Sequence, residues 1–280
     1  MTRNFRKLIE AKWDEGKFVC VGLDSEWEKI PQSAYQNGGM IPTIAHFNSE
    51  IIDATKDIAC AYKPNIAFYE AWGKAGWEAL RVTIMNILDT DVPVILDAKR
   101  ADIGNTNNGY VRAAFDDLMA DAITVHPYLG REALQPFLDK KDKGIFVLCR
   151  TSNPGAGEFQ DLLTSHPSAE WTDGRISLYE RVAYHVKQEW NRNKNCGLVA
   201  GATSSYELGR IREITGDLPL LIPGIGAQGG DLEATVKAAR HRMIINSSRG
   251  IIFASSGRDY AEAARRETLK LHDAIQACLE

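Results

Sequence analysis

Eight short runs of consecutive apolar residues recur along the chain, at 18–23, 58–62, 93–96, 122–125, 144–148, 197–200, 218–222 and 243–245. Each is continuously apolar rather than alternating, which is how a strand buried on both faces reads. Between the runs the spacing turns helical. Ala79, Leu80, Val82, Ile84, Ile87 and Leu88 mark one helix that ends before Pro93, and Tyr110, Val111, Ala114, Phe115, Leu118 and Met119 mark another. Asp231 has the character of an N-cap for a third helix running through Val236 to Ala239. Eight strands alternating with helices predict an α/β fold, a single-domain closed parallel (β/α)8 TIM barrel over residues 1–280. The competing architecture, an open doubly wound sheet, normally carries a glycine-rich turn after its first strand, and Val21-Gly22-Leu23-Asp24-Ser25-Glu26 is not one. One stretch breaks the rhythm. Residues 151–174, rich in Gly, Ser, Pro and Thr, are long for a loop between strand and helix, and such loops are usually functional or mobile. A lid is expected there.

Composition narrows the setting. The 280 residues are 44% hydrophobic and 25% charged, enough apolar surface to offset the entropy of ordering and so to exclude disorder as the main state. With 33 basic against 37 acidic residues the formal charge is −4, which gives no general attraction for nucleic acid or an anionic membrane. No apolar run approaches the length of a membrane span. The basic start Met1-Thr2-Arg3-Asn4-Phe5-Arg6-Lys7 is not followed by the apolar stretch of a secretory signal, so a cytoplasmic location is expected. The five cysteines are odd in number and widely spread, and their spacing suggests neither a zinc site nor a disulfide framework.

In a barrel of this kind chemistry sits at the carboxyl ends of the strands, so the residues after each apolar run are the informative ones. Asp24 follows the first, Lys63 the second, and Asp97, Lys99, Arg100 and Asp102 the third. Taken singly, each is most simply a solvated loop residue. Together, at three consecutive strand ends that should be neighbours, they point to a shared site. Asp97 and Lys99, two apart on a strand, should share a face and, with Lys63, form an alternating row of acid and base. The last two strands differ in character. Pro223-Gly224-Ile225-Gly226-Ala227-Gln228-Gly229-Gly230-Asp231 and Asn246-Ser247-Ser248-Arg249-Gly250 combine glycines, helix-start N–H groups and a guanidinium. These are the makings of a phosphate site, in the usual place for this architecture. Of the six histidines only His126 lies at a strand end, where a structural role is at least as apt as a place in the pocket. A phosphorylated small molecule, held at strands seven and eight and reacting over the charge row, is the expected ligand.

Asp97-Ala98-Lys99-Arg100-Ala101-Asp102-Ile103-Gly104-Asn105-Thr106 resembles the signature of the orotidine 5′-monophosphate decarboxylases, Asp-x-Lys-x-x-Asp-Ile with a threonine shortly after. The resemblance extends over essentially the whole chain. It takes in Asp24, Lys63-Pro64-Asn65, Thr151-Ser152-Asn153-Pro154-Gly155, residues 223–230 and Ser248-Arg249, and is greatest to the larger bacterial branch. It implies metal-free decarboxylation of orotidine 5′-monophosphate (OMP) to UMP in pyrimidine biosynthesis, with no cofactor. By the same resemblance Lys99 is the proton donor, Asp97 lies near the substrate carboxylate, Lys63 holds Asp97, and Asp24 binds a ribose hydroxyl. Asp102 and Thr106 would reach the partner's site in a homodimer. Ser152 would contact the pyrimidine, Gln228 would bridge base and phosphate, and Arg249 with the N–H groups of Gly229 and Gly230 would hold the phosphate.

Two positions depart from the family pattern. Ala101 stands where many relatives have glycine, so a positive φ there would be costly. Ser248 stands where compact members have glycine, which bears on how closely the backbone approaches a phosphate. Two other functions share the fold. A magnesium-dependent decarboxylase or aldolase acting on sugar phosphates has the same strand-three motif but an acidic residue where this chain has Lys63, an ammonium that would repel the cation. A non-catalytic nucleotide sensor would need no proton donor.

Overall fold

The computed structural model describes residues 3–165, 174–202, 205–225 and 231–280. Eight parallel strands form one sheet: β1 Val19–Leu23, β2 Ala61–Pro64, β3 Ile95–Arg100, β4 Ala122–Val125, β5 Gly144–Arg150, β8 Cys196–Ala200, β9 Leu220–Pro223 and β10 Met243–Ser247. Two further strands, β6 Leu163–Ser165 and β7 Arg175–Ser177, pair antiparallel outside it. The sheet runs β2-β1-β10-β9-β8-β5-β4-β3, so its two edges are consecutive strands. They meet through parallel bridges Tyr62 to Val94 and Asn65 to Asp97, closing the barrel. Helices follow the strands as the periodicity requires, among them Gly73–Leu88, Gly104–Val111 and Leu232–Ala239. The side chain of Asp231 accepts from the Ala234 N–H at 3.1 Å and caps the last of these.

The barrel has two cores. The larger lies between sheet and helices; the smaller fills the inside of the barrel with Cys20, Ala61, Ile95, Ala122, Phe146, Val199, Leu221 and Ile244. Phe5 and Ile9 of the helix Phe5–Asp14 belong to the inner cluster and close the floor. Side chains alternate along a strand, so residues two further on face the interior one layer higher. Two beyond Cys20, Ala61, Ile95, Ala122 and Ile244 stand Gly22, Lys63, Asp97, Thr124 and Asn246. That layer is where the apolar filling ends and polar chemistry begins.

Several strands continue past the apolar runs. The third ends at Arg100 rather than Leu96 and the last at Ser247 rather than Ile245, while β2 starts at Ala61, because Ile58 and Ala59 still bond back to Thr55 of the preceding helix. Residues 151–165 of the 151–174 stretch carry local structure. They hold a 3-10 turn at Pro154–Ala156, a helical turn at Gly157–Gln160 and the first strand of the β6–β7 hairpin. The expected lid is in part a small ordered excursion; residues 166–173 lie outside the described ones.

Candidate active site

The mouth of the barrel holds a cavity of about 520 Å³. Lys63, Asp97, Lys99 and Thr124 form one side, Thr151, Ser152, Asn153 and Gln160 the other, with Leu148, Val199, Leu221 and Pro223 as an apolar floor and wall. A few polar groups converging over an apolar surface, in a space of this size, is the usual form of a small-molecule site.

Asp97 is the centre of the charge row. Its Oδ2 accepts from Lys63 Nζ at 3.0 Å and its Oδ1 from Lys99 Nζ at 2.7 Å. Lys63 is almost wholly buried, with a side chain 4% exposed, whereas that of Lys99 is 49% exposed and opens onto the cavity. Asp24 lies 4.0 Å from Lys63 Nζ through an Oδ1 that is buried and has no hydrogen-bond partner among the described residues. Burial by itself would raise the Asp97 carboxyl, but the Lys63 and Lys99 ammonium groups outweigh it and hold the carboxyl well below the usual carboxylate range. Burial likewise works against a charged Lys63, and Asp97 with Asp24 overcomes it, raising that ammonium above the ordinary lysine range. Asp97 and Lys63 are thus each held ionised where burial alone would favour the neutral form.

Asp97 and Lys99 do meet, though not for the reason that strand alternation suggests. The β3–β4 register breaks between Leu96 and Arg100, and Lys99 takes a left-handed φ of 47°. This bulge lets the lysine curl back over Asp97, two residues before it. The cost foreseen at Ala101 does not arise, because Ala101 is not among the positive-φ residues; the strain sits on Lys99 itself. The remaining charges of β3 and its loop separate from the row. Arg100 pairs with Glu70 and lies over the Tyr110 ring, 5.4 Å from its centroid. Asp102 turns its Oδ1 to the Ile103 N–H at 2.7 Å, and Thr106 is exposed. Neither joins the row of its own chain. His126 is not among the cavity residues, and its N–H bonds the Arg100 carbonyl at 3.2 Å.

Ser152 lines the cavity. Gly201 on the neighbouring β8 end makes room for it, since a Cβ there would stand 2.8 Å from the Ser152 Cβ. Sequence reasoning missed Gln160. Its Oε1 accepts from the Thr151 N–H at 2.9 Å and its Nε2 donates to Thr151 Oγ1 at 2.8 Å, tying the excursion after β5 to the wall of the cavity. Thr124 was missed as well. It is the one hydroxyl in the run 122–125, two residues beyond the inward Ala122, and that spacing was the available signal.

At the opposite wall Ser248 packs against β1, where a Cβ on Gly22 would lie only 1.9 Å from Ser248 Oγ. The serine fits because its neighbour is glycine. Arg249 opens the one-turn helix Arg249–Ile252, is exposed, and has no side-chain partner among the described residues. Gln228, Gly229 and Gly230 lie outside the described residues. Four of the five cysteines are buried, and burial pushes the Cys20 thiol up to about 12. Among the described residues no group of three His, Cys, Asp or Glu side chains is arranged to hold a metal ion.

With this geometry in place, comparison with known proteins gives a consistent result. Residues 17–266 match the model of the Orotidine 5'-phosphate decarboxylase / HUMPS family. An orotidine 5'-phosphate decarboxylase of Herpetosiphon aurantiacus is 48% identical over 261 residues, 93% of each chain. Among solved structures, the OMP decarboxylase of Leishmania donovani is 36% identical with a TM-score of 0.78, over 96% of this chain and 99% of that one. The UMP synthase of the same organism is 38% identical with a TM-score of 0.81; the match covers 98% of this chain but only 57% of that longer one. The chain belongs to the Orotidine 5'-phosphate decarboxylase / HUMPS family and is a carboxy-lyase of the (β/α)8 barrel architecture.

Proposed function

We propose that the chain decarboxylates OMP to UMP, the closing step of uridylate synthesis, with Lys99 as proton donor and no metal or other cofactor. The observation that carries this reading is the contiguous Lys63–Asp97–Lys99 row, with its outer ammonium half exposed to the cavity. When the C–C bond to the carboxylate breaks, carbon dioxide leaves and the electron pair stays on the ring carbon, in the plane of the ring and out of reach of its π system. The only stabilisation is then a positive charge placed beforehand. Lys99 offers that charge and then its proton: a C–H bond forms, the amine is left neutral, and solvent returns the proton. Asp97, ionised between two ammonium groups, keeps Lys99 aimed, and Lys63 compensates the buried carboxylate. The Asp24 Oδ1, without a hydrogen-bond partner among the described residues, is suited to accept from a ribose hydroxyl. Ser152 takes the pyrimidine, and Arg249 the phosphate together with Gln228, Gly229 and Gly230. In the magnesium-dependent reading, the place for an oxygen ligand is taken up by the Lys63 ammonium.

The working unit in this proposal is a homodimer, with Asp102 and Thr106 completing the partner's site. Their position supports it, for Asp102 and the exposed Thr106 stand clear of their own row beside Ile103, which is 65% exposed. The cytoplasm is the proposed location, a compartment in which five unpaired cysteines persist. The test is ultraviolet-monitored decarboxylation of OMP with EDTA present, with Lys99→Ala in parallel. Metal-independent turnover lost in the variant supports the reading. Nucleotide binding without turnover would instead mark a sensor, and activity lost with EDTA would overturn the metal-free row.

A further inference from the structure

Thr124 has no part in the roles above, yet its hydroxyl joins the row to the backbone that carries it. Thr124 is 1% exposed, on β4, one strand over from Asp97 and Lys99. Its Oγ1 accepts from two successive backbone N–H groups, Ala98 and Lys99, each at 3.0 Å. It donates to Asp97 Oδ1 at 2.8 Å, the oxygen that also receives Lys99 Nζ at 2.7 Å. A hydroxyl has one proton and two lone pairs, so every valence of Thr124 Oγ1 is used. Both lone pairs are engaged by N–H donors, which leaves its proton only the Asp97 carboxylate.

The bulge in β3 explains the need for this group. The register shift between Leu96 and Arg100 takes the Ala98 and Lys99 N–H groups out of the regular ladder, and the positive φ of Lys99 is one that a non-glycine residue holds only when its surroundings impose it. From the geometry we infer that Thr124 is a positioning residue for decarboxylation: its hydroxyl pins the strained Lys99 backbone and the Asp97 carboxylate together, fixing the proton donor at both ends. This rests on Lys99 being the donor in an OMP decarboxylase. Lys99 is held at its N–H by Thr124 and at its ammonium by Asp97, and Asp97 is held by Thr124, a closed ring of hydrogen bonds across two strands.

The comparison that tests it is Thr124→Ser against Thr124→Ala, because both lack the methyl group and only one keeps the hydroxyl. Wild-type turnover of OMP, measured first, tests the functional reading separately. Thr124→Ala should lose about 30- to 100-fold in kcat with KM changed less than about threefold, since a reacting group misplaced by about an ångström costs on the order of a hundredfold. Thr124→Ser should remain within about threefold of wild type in both parameters. If Thr124→Ala does not fold, Thr124→Val, which keeps the volume of threonine, replaces it in the same comparison. The inference is overturned if the hydroxyl-free variant keeps its kcat, if serine is as impaired as alanine, or if the loss appears in KM alone. It is also overturned if neither hydroxyl-free variant folds while serine does, which would make the hydroxyl a requirement of the fold alone.

Discussion

Two ion pairs lie at opposite ends of the barrel, and they are finished differently. Near the floor, Asp121 accepts from Arg3 Nε at 3.0 Å, Arg3 Nη2 at 2.8 Å and the Val94 N–H at 3.0 Å. The remaining Arg3 donors go to the carbonyls of Leu88, Thr90 and Val92. All five guanidinium protons have acceptors, and the pair ties the N-terminal segment to β3 and β4. At the mouth, by contrast, Asp24 keeps a buried oxygen without a hydrogen-bond partner among the described residues, Lys99 is half exposed, and its backbone is in a left-handed conformation. The floor has a cavity of its own, of about 250 Å³, in which Arg6 and Arg242 share Glu10 and Lys187 pairs with Asp217. A saturated charge network holds structure together. A network with spare valences over a cavity is ready for a ligand, and its strain is upheld by the fold around it.

The widest separation between the two ends should come from Lys99→Ala, with kcat for OMP decarboxylation expected to fall by at least about 10⁴-fold. The half-exposed side chain should leave the melting temperature nearly unchanged. A loss below tenfold would place the proton donor elsewhere. Next comes Arg249→Ala. If the guanidinium supplies about 4 kcal/mol toward the transition state, kcat/KM drops roughly a thousandfold, and near-normal turnover would rule out this phosphate assignment.

At the floor the expected effect is on stability instead. Arg3→Met leaves the Asp121 carboxylate, 1% exposed, without its cation; breaking such a pair costs on the order of 3–5 kcal/mol. Chemical denaturation measures that cost, while kcat of the folded enzyme should stay within about twofold of wild type. A large fall in kcat would show that the two ends are coupled. Gly22→Ala is a smaller perturbation at the mouth. Its Cβ would displace Ser248 and with it the neighbouring Arg249, so KM should rise about tenfold, equivalent to about 1.4 kcal/mol. An unchanged KM would separate Ser248 from ligand binding.

The smallest expected effect is that of pH on the row. The Asp97 pKa is depressed, so its contribution to stability is complete above the ordinary carboxylate pKa and is lost only as pH falls through the depressed value. Lys63 is raised, so its contribution is complete below the ordinary lysine pKa and is lost only as pH rises through the raised value. The stability difference between wild type and an Asp97→Asn/Lys63→Met double variant, in which no stranded partner is left to titrate, should therefore stay constant between about pH 5 and pH 9, inside the ordinary values of about 3.9 and 10.4. Denaturation midpoints across that range provide the check, and a titration inside it would mean that the row is not held ionised.

Much of this was legible in the chain because burial on both faces leaves a local mark. Each of the eight apolar runs overlaps one of the barrel strands, and Asp231 caps the helix foreseen for it. The strand ends were less legible. Hydropathy stops at Leu96, whereas the strand continues through Asp97, Ala98, Lys99 and Arg100, since the layer facing the mouth is polar. The helix Phe5–Asp14, which plugs the floor, has an ordinary amphipathic sequence and nothing local to show where it docks.

By itself the sequence determined the alternation of buried strands and helices, the acids and bases that follow the first three strands, and the motif shared with a known family. Those depend on residue type and spacing, which are properties of neighbours along the chain. Only the tertiary structure decided which of these charges meet: that Asp24, Lys63, Asp97 and Lys99 come together while Arg100 goes to Glu70 and Asp102 turns to its own backbone. It also decided that the strain falls on Lys99, and that a threonine from the next strand takes up the hydrogen bonds released there. Those choices depend on strand register and closure between residues far apart in sequence, where one bulge redirects a side chain without leaving a mark in the hydrophobic pattern.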